Sequence, residues 1–149
     1  MTNSNSTQMN TNKKTTAMRD TKILLALLWI FFSFTFVYAD VRSSLEPGVL
    51  EETMTGYLAG GTVQITPGFL LGTAIIWEIP FVMIVLSWVL KYRANRWANI
   101  IAGTIMAVLQ IGSLFLGTPS LQYIFYSTMN IACLLLIVWN AWKWPKQEA

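Results

Sequence analysis

Long uncharged apolar stretches are the feature of this sequence that most restricts how the chain can fold. Four such stretches occur, at residues 23–39, 68–90, 97–117 and 119–142, and Glu78 is the one charged residue within them. A helix of about 20 residues spans the roughly 30 Å hydrocarbon core of a bilayer. The stretches therefore predict an all-α fold, a transmembrane four-helix bundle with helices at about these positions.

The composition supports this interpretation, because 54% of the 149 residues are hydrophobic and 11% are charged, whereas ordinary soluble domains have about 25% charged residues. The net charge is +3, but the basic residues lie beside the apolar stretches and do not form the stripe that nucleic-acid binding requires. The chain has no histidine and a single cysteine, Cys133, which excludes a histidine-ligated metal or haem, a Ser-His-Asp triad and an intramolecular disulfide. We therefore expect the lipid bilayer as a partner, with no nucleic acid, no cofactor and no metal site.

Basic residues cluster on one predicted side of the membrane. Lys22 precedes the first apolar stretch, Lys91, Arg93 and Arg96 lie between the second and the third, and Lys143 follows the fourth. Loops on the cytoplasmic side carry an excess of Lys and Arg. This distribution predicts a multi-pass protein of the cytoplasmic (inner) membrane with both termini in the cytoplasm.

The N-terminal tail and the first external loop, residues 40–67, are the sizeable segments outside the predicted helices. Residues 1–21 are rich in Asn, Thr and Ser and predict a disordered polar and basic tail, residues 22–145 form the membrane domain, and residues 146–149 form a C-terminal tail. The first external loop is acidic, and the helix-spaced apolar residues after Pro47 predict a short interfacial helix within it.

Two alternatives concern the N-terminus. Met18 is a second candidate start codon. The basic region, the apolar run and the small residues ending at Ala39 also resemble a signal peptide, whose cleavage would remove residues 1–39 and leave three helices. The apolar run is longer than the usual core of roughly 7 to 15 residues, which favours retention of the first helix.

Glu78 lies near the middle of the second predicted helix and is the outstanding candidate for function. An ionised carboxylate there costs about 2.5–3.5 kcal/mol on insertion scales, unless it faces the bundle interior, is protonated or accepts hydrogen bonds. Gln110 and Asn130 are predicted at about 10 and 16 Å from the outer surface, against about 15 Å for Glu78. We expect the three to form a polar layer; the alternative is a packing carboxyl and two amides that hold helices together.

Asp40 is a candidate outer mouth for that polar layer. It follows Trp29, Ser33 and Phe36 along the first helix at spacings of three and four residues, which place them in one stripe. The alternative is that Asp40 ends the helix at the lipid headgroups and that the stripe is ordinary packing.

Gly103 and Ala107 lie on the same face of the third predicted helix as Gln110. Small residues let membrane helices approach closely. We therefore expect Gly103 and Ala107 at a helix contact, and a homodimer is the predicted use of that contact.

Five short motifs carry a family resemblance: PGVLEE (47–52), QITPGFLLG (64–72), EIP (78–80), NRWANIIAG (95–103) and SLFLGTP (113–119). Together they resemble an uncharacterised family of small four-helix bacterial and archaeal membrane proteins, described as a domain of unknown function, from about residue 22 to Pro145. The resemblance implies a membrane fold that retains the first helix, and it implies no substrate. The general form is also similar to the DoxX-like four-helix membrane proteins, whose diverse associations do not transfer to this chain.

The leading functional hypothesis is small-solute or proton-linked transport that uses the Glu78 carboxyl. The alternative is a non-catalytic membrane subunit, an assembly partner of another membrane protein. An intramembrane enzyme is disfavoured, because Glu78, Asp40 and scattered hydroxyls are the only candidate catalytic groups.

Overall fold

The computed structural model describes residues 2–116 and 119–144, with side chains described from Thr15 onward. Two short strands form an antiparallel pair in which Tyr57 lies opposite Gln64. The fold is otherwise helical over most of its length, which confirms the predicted predominance of helix. The elements in chain order are α1 (Thr2–Ser44), α2 (Val49–Met54), β1 (Tyr57–Leu58), β2 (Val63–Gln64), α3 (Pro67–Val89), α4 (Tyr92–Ser113) and α5 (Leu121–Lys143).

α1 is much longer than the first predicted helix, residues 23–39. It contains 43 residues, and it runs through the segment predicted as a disordered tail, residues 1–21, from Thr2 onward. The physical reason is that residues 2–44 contain neither glycine nor proline, the two residues that are least favourable inside a helix. The predicted C-terminal tail, residues 146–149, lies outside the described residues.

Hydroxyl side chains cap the amino ends of two of the long helices. Thr66 Oγ1 accepts a hydrogen bond of 3.1 Å from the Phe69 backbone N–H, and Pro67 occupies the first turn of α3, where its missing N–H costs little. Ser120 Oγ accepts a hydrogen bond of 3.2 Å from the Tyr123 backbone N–H at the start of α5. The observed starts of α3 and α5 are therefore close to the predicted ones.

Basic side chains cap the carboxyl ends of the same two helices, α3 and α5. Lys22 Nζ of α1 donates to the Leu90 carbonyl oxygen at 2.8 Å. Arg96 of α4 donates from Nε to the Ala141 carbonyl oxygen at 3.2 Å and from Nη2 to the Trp142 carbonyl oxygen at 3.1 Å. The last carbonyls of a helix lack intrahelical partners and carry partial negative charge, so cations stabilise them.

The structure has a basic end and a loop end. The basic end holds Lys22 and Arg96, and the loop end holds residues 45–66. The part of α1 that precedes Lys22 extends beyond the basic end, since Lys22 itself lies level with the carboxyl end of α3.

The long helices α1, α3, α4 and α5 pack side by side. α1 contacts α3 and α5, and α4 contacts α5 and, less extensively, α3. The interior is filled by large side chains that are fully buried, among them Trp29 and Phe32 of α1 and Leu134 and Ile137 of α5.

Among the described residues, three helices are long and apolar enough to cross a membrane: α1 over Thr15–Ser44, α3 and α5. α4 does not belong to this set, because its first turns carry polar and charged residues, among them Arg93 and Asn95. It begins at Tyr92, before the predicted start at residue 97. The basic residues Lys91, Arg93 and Arg96 predict a loop, whereas Arg96 lies within the helix and caps α5.

The segment between α1 and α3 differs from the predicted form in one respect. A short helix, α2, is present, but it ends at Met54, and Tyr57 begins a strand where helical spacing was expected. Gly56 has φ of 86°, a left-handed conformation that glycine adopts readily and that ends helices. The position of α2 at a membrane surface stays a prediction.

Candidate functional site

Glu78 lies on the outside of α3, away from the rest of the chain. The buried residues of α3 are Pro80, Met83 and Ser87, and at about 100° per residue Glu78 lies roughly 140 to 180° around the helix from them. Its side chain is exposed, and the described part of the chain offers its carboxylate no hydrogen-bond partner. A polar layer within a single chain therefore does not include Glu78.

An open groove runs along the flank of α3 that carries this carboxylate. Its lining residues recur every three or four positions and belong to α3 alone. Apart from the carboxylate, every lining side chain is aliphatic or a thioether, so the Glu78 carboxyl lies in apolar surroundings. The lining residues are Ile75, Glu78, Ile79, Val82, Met83 and Leu86.

Gln110 and Asn130 are buried where α4 and α5 pack together. Gln110 Nε2 donates to Ser127 Oγ at 3.0 Å, and Ser127 lies one helical turn from Asn130 on the same face of α5. Nearer the loop end, Tyr123 Oη donates to Ser113 Oγ at 2.6 Å. These five residues, Gln110, Ser113, Tyr123, Ser127 and Asn130, are called the polar track below.

The two ends of the polar track differ in their hydrogen bonding. At the loop end, Ser120 Oγ donates to Glu46 Oε1 at 2.6 Å, which connects α5 to the segment after α1. At the buried end, Asn130 is 1% exposed and its Oδ1 has no hydrogen-bond partner within the described parts of the chain. An unsatisfied buried acceptor costs about 1–3 kcal/mol. The track therefore ends at an acceptor that would gain from a hydrogen-bond donor.

A second buried polar cluster, which is absent from the sequence-based predictions, lies nearer the basic end. Trp29 Nε1 donates to Asn99 Oδ1 at 2.7 Å, Asn99 Nδ2 donates to Asn95 Oδ1 at 2.6 Å, and Asn95 Nδ2 donates to the Ser87 carbonyl oxygen at 2.6 Å. All four residues are fully buried. This asparagine network connects α1, α3 and α4.

The asparagine network had a recognisable signal in the sequence. Asn95 and Asn99 are four residues apart, which places both amides on one face of a helix. Because the apolar stretch predicts a helix that begins at Trp97, Asn95 falls in the preceding loop, and this boundary conceals its pairing with Asn99. Satisfied buried networks of this kind rigidify a fold and specify which helices meet, so we assign this network a structural role.

The predicted stripe of Trp29, Ser33, Phe36 and Asp40 on α1 is interrupted by aromatic packing at Phe36, before the loop end. Trp29 and Ser33 are buried, and Ser33 Oγ donates to the Trp29 carbonyl oxygen of the same helix at 2.8 Å. The Phe36 ring lies against Trp77 of α3 with centroids 3.7 Å apart. Asp40 is exposed, so it stays a candidate mouth without a polar continuation along α1.

Gly103 makes a contact within the chain. A Cβ at this position would meet Val138 Cγ2 at 2.9 Å and Ile137 Cγ2 at 3.5 Å, both on α5. Ala107, one turn further along α4, is half-buried against the hydrophobic core. The small-residue face is therefore occupied by α5 of the same chain, and a homodimer contact through it would require α5 to move away.

Possible metal ligands are scattered. Among the described residues, no group of three His, Cys, Asp or Glu side chains is placed to hold a metal ion. Cys133 is buried and donates from Sγ to the Leu28 carbonyl oxygen at 3.3 Å, so its contacts join α5 to α1.

The fold and the site define a mostly helical protein in which three of the described helices are long and apolar enough to cross a membrane. The chain belongs to a family of unknown function (DUF6326), whose family model matches residues 14–149. This confirms the predicted membership of a family of unknown function. No curated protein and no solved structure matches the chain.

Proposed function

We propose that this chain is a four-pass protein of the cytoplasmic membrane, with both termini in the cytoplasm, that acts as a non-catalytic membrane subunit. In this proposal α3 binds a transmembrane helix of another protein molecule. The observation that carries it is the direction of Glu78, which lies at the middle of α3 and points away from the chain's own core.

The distribution of buried and exposed residues around α4 supports a fourth membrane-spanning helix. Its buried residues include the amides Asn95, Asn99 and Gln110, whereas Ile101, Ile105 and Val108 are exposed. Most of the polar groups of its middle and last turns thus lie inside the bundle, and the outward side is largely apolar. A low mean hydropathy is therefore compatible with a helix whose outer surface contacts lipid.

The energetic reason for a partner is the cost of a carboxyl that faces hydrocarbon. Ionisable side chains within transmembrane segments nearly always face a bundle interior or a water-filled cavity and pair with other groups. Glu78 satisfies neither condition within one chain, because it lies opposite the buried face of α3. A second helix packed on that face would provide both hydrogen-bond partners and exclusion from lipid.

The test is photo-crosslinking in native membranes from a photoreactive phenylalanine at Phe81, which is exposed on α3 and lies three residues from Glu78. The matched control carries the same group at Ile105, which is exposed on α4. We expect a protein adduct of one defined mass from position 81 and lipid adducts from position 105. Lipid adducts alone from position 81 would contradict the proposal.

A second candidate function is small-solute or proton-linked transport, and the polar track favours it. The track extends from the loop end into the bundle and ends at the unpaired Oδ1 of Asn130. Reconstitution of the protein with a pH-sensitive dye in liposomes tests it. We expect proton or solute flux that Asn130→Leu reduces at least about tenfold. The control is Asn140→Leu on the same helix, because the Asn140 amide bonds only to the Leu136 carbonyl oxygen at the helix surface.

Labelling with a hydrophobic carbodiimide distinguishes the two candidate functions, because the reagent reacts with protonated carboxyls in apolar surroundings. Labelling of Glu78 at neutral pH that falls as the pH rises would identify a protonatable carboxyl and support proton-linked transport. Absence of Glu78 labelling at every pH would indicate a shielded or tightly paired carboxylate and support the subunit function.

A further inference from the structure

The hydrogen bonds of the polar track form one series that starts near the loop end and stops at Ser127. Tyr123 Oη donates to Ser113 Oγ, Ser113 Oγ donates to the Gln110 carbonyl oxygen at 2.7 Å, and Gln110 Nε2 donates to Ser127 Oγ. The Ser127 hydroxyl hydrogen has no acceptor among the described residues, and Asn130 Oδ1 has no donor among them. An unused donor and an unused acceptor thus lie one helical turn apart on the same face of α5.

The separation of these two groups suits one bridging molecule. Side chains three residues apart on a helix have Cβ atoms about 5–6 Å apart, and an O–H···O hydrogen bond is about 2.7–2.8 Å long. Two such bonds in series, through one small molecule, therefore connect Ser127 to Asn130. Both residues are 1% exposed, so the bridging molecule is enclosed within the bundle.

The position of Asn130 along α5 places it against α4. Gly103 of α4 lies against Val138, and Gln110 of α4 bonds to Ser127. Asn130 lies between Ser127 and Val138 on α5, so it is level with the part of α4 between these two contacts. Gln110 Oε1, which receives no hydrogen bond from the described residues either, is therefore a second acceptor at this place.

We propose that Ser127, Asn130 and Gln110 bind one internal water molecule. The water accepts a hydrogen bond from the Ser127 hydroxyl and donates to the amide oxygens of Asn130 and Gln110. Buried waters typically make about three hydrogen bonds to polar groups that otherwise lack partners, and this site supplies three. The inference goes beyond the proposed function, because the site is the same in a membrane subunit and in a transporter.

The chemistry of the site selects water over an ion or a larger solute. The buried polar side chains of the described residues are all neutral, and an ion that left water for neutral surroundings would lose its hydration without gaining a counter-charge. A solute larger than water would require α4 and α5 to separate, because the bond from Gln110 to Ser127 holds them together at 3.0 Å. Water is small and carries both donors and acceptors, as the site requires.

The bound water carries the hydrogen-bonded series to the middle of α5 and ends it there. Tyr123 and Asn130 are seven residues apart, which is about 10 Å along the helix. The next buried residues of α5 are Cys133, Leu134 and Ile137, none of which offers the water a strong hydrogen-bonding group. Polar groups thus extend from the loop end to Asn130, and apolar packing closes the interface beyond it.

X-ray radiolysis of the protein in nanodiscs, in heavy-oxygen water, tests for the bound water. Radiolysis of a bound water produces a hydroxyl radical in place, which oxidises buried side chains that radicals from bulk solvent do not reach. Met106 lies one turn from Gln110 on the buried face of α4, and Met83 of α3 is the matched control, since they are 3% and 4% exposed. We expect Met106 to be oxidised at least about fivefold faster than Met83. Equal rates in the native protein would overturn the proposal.

Asn130→Leu tests the same site by a second measurement. The substitution removes an acceptor and displaces the water, so oxidation of Met106 should slow to the rate of Met83 and the melting temperature should fall by at least about 2 °C. Asn140→Leu, which changes a surface amide of the same helix, should alter neither. A higher melting temperature for Asn130→Leu would show that Asn130 costs stability without binding water, and would overturn the proposal. If Asn130→Leu does not fold, the comparison of Met106 with Met83 in the native protein decides.

The outcome of this test is separate from that of the proposed function. Lipid adducts alone from position 81, or absence of flux in liposomes, would overturn the subunit function or the transport function and leave the water site standing. Equal oxidation of Met106 and Met83 would overturn the water site and leave both functions standing.

Discussion

Glu78 combines a position near the middle of α3 with a side chain that points away from the rest of the chain. The position of Glu78 along α3 follows from the apolar stretch around it, and α3 runs from Pro67 to Val89 as the stretch suggests. The direction of its side chain does not follow, because α3 is apolar on all sides and its packed face is chosen by contacts with α1 and α4. Gln110 and Asn130 are buried between α4 and α5, whereas Glu78, which was predicted in one layer with them, is exposed.

Asn99 is the residue whose replacement should disturb the core most directly. Asn99→Leu keeps the approximate volume but leaves the Trp29 indole N–H and the Asn95 amide oxygen without the partners described above. We expect the free energy of unfolding to fall by about 2–4 kcal/mol, since each unsatisfied buried group costs about 1–3 kcal/mol. Unfolding by detergent titration measures it.

The control for this prediction is Asn140→Leu. Asn140 Nδ2 bonds to the Leu136 carbonyl oxygen of its own helix at the surface of α5, and surface substitutions usually change stability by less than about 0.5 kcal/mol. Equal losses for the two variants would remove the argument for the asparagine network.

Gly103 allows a second prediction at the residue scale. Gly103→Leu should force α4 and α5 apart and lower the free energy of unfolding by about 1–3 kcal/mol or more, because the position already lies against Val138. Gly112→Leu is the matched control, since a Cβ at Gly112 meets nothing within 4 Å. A stable Gly103→Leu monomer with an altered dimer would instead favour the sequence-based homodimer contact.

The start residues of α3 and α5 can be predicted from the sequence, whereas that of α4 cannot. The starts of α3 and α5 follow from local rules, a hydroxyl residue before the first turn in both cases and a proline in α3. α4 begins at Tyr92, so Arg96, which looks like a loop residue in a basic segment, is helical and its guanidinium donates to the last carbonyls of α5. Long-range capping of this kind leaves no pattern in the sequence.

The carboxyl end of α5 should therefore loosen when Arg96 is replaced. Arg96→Met removes the hydrogen bonds to the carbonyls of Ala141 and Trp142, and a cation at a helix carboxyl end contributes about 0.3–1 kcal/mol. We expect amide hydrogen exchange in the last turn of α5 to accelerate about 2- to 5-fold. Arg93→Met, an exposed residue of the same basic cluster, controls for the loss of charge, and equal acceleration by both variants would contradict capping.

At the scale of the whole molecule, α4 decides between three and four membrane crossings. Sequence hydropathy averages over the sides of a helix, whereas the structure separates the buried amides of α4 from its largely apolar outer side. The predominance of helix and the apolar spans could be predicted from composition and length. The arrangement of the helices could not, because contacts such as Trp29 to Asn99 join residues far apart in the chain.

Cysteine accessibility in intact cells tests the proposed topology. In a Cys133→Ala background, a membrane-impermeant maleimide should label Glu51→Cys and Phe115→Cys from outside, and should label Arg93→Cys only after permeabilisation. Positions 93 and 115 flank most of α4, so labelling of both from the same side would show that α4 does not cross.

The contacts of α1 also set an order of events during synthesis. α1 meets α3 early in the chain, but two of its contacts come from much later residues: Trp29 bonds to Asn99, 70 residues later, and Leu28 accepts a hydrogen bond from Cys133, 105 residues later. A nascent chain that has released α1 and α3 thus still lacks the amide that Trp29 requires and the helix that covers Leu28. The packing of α1 is therefore complete only once α5 has been made, because α5 covers a helix that precedes it by about 75 residues or more.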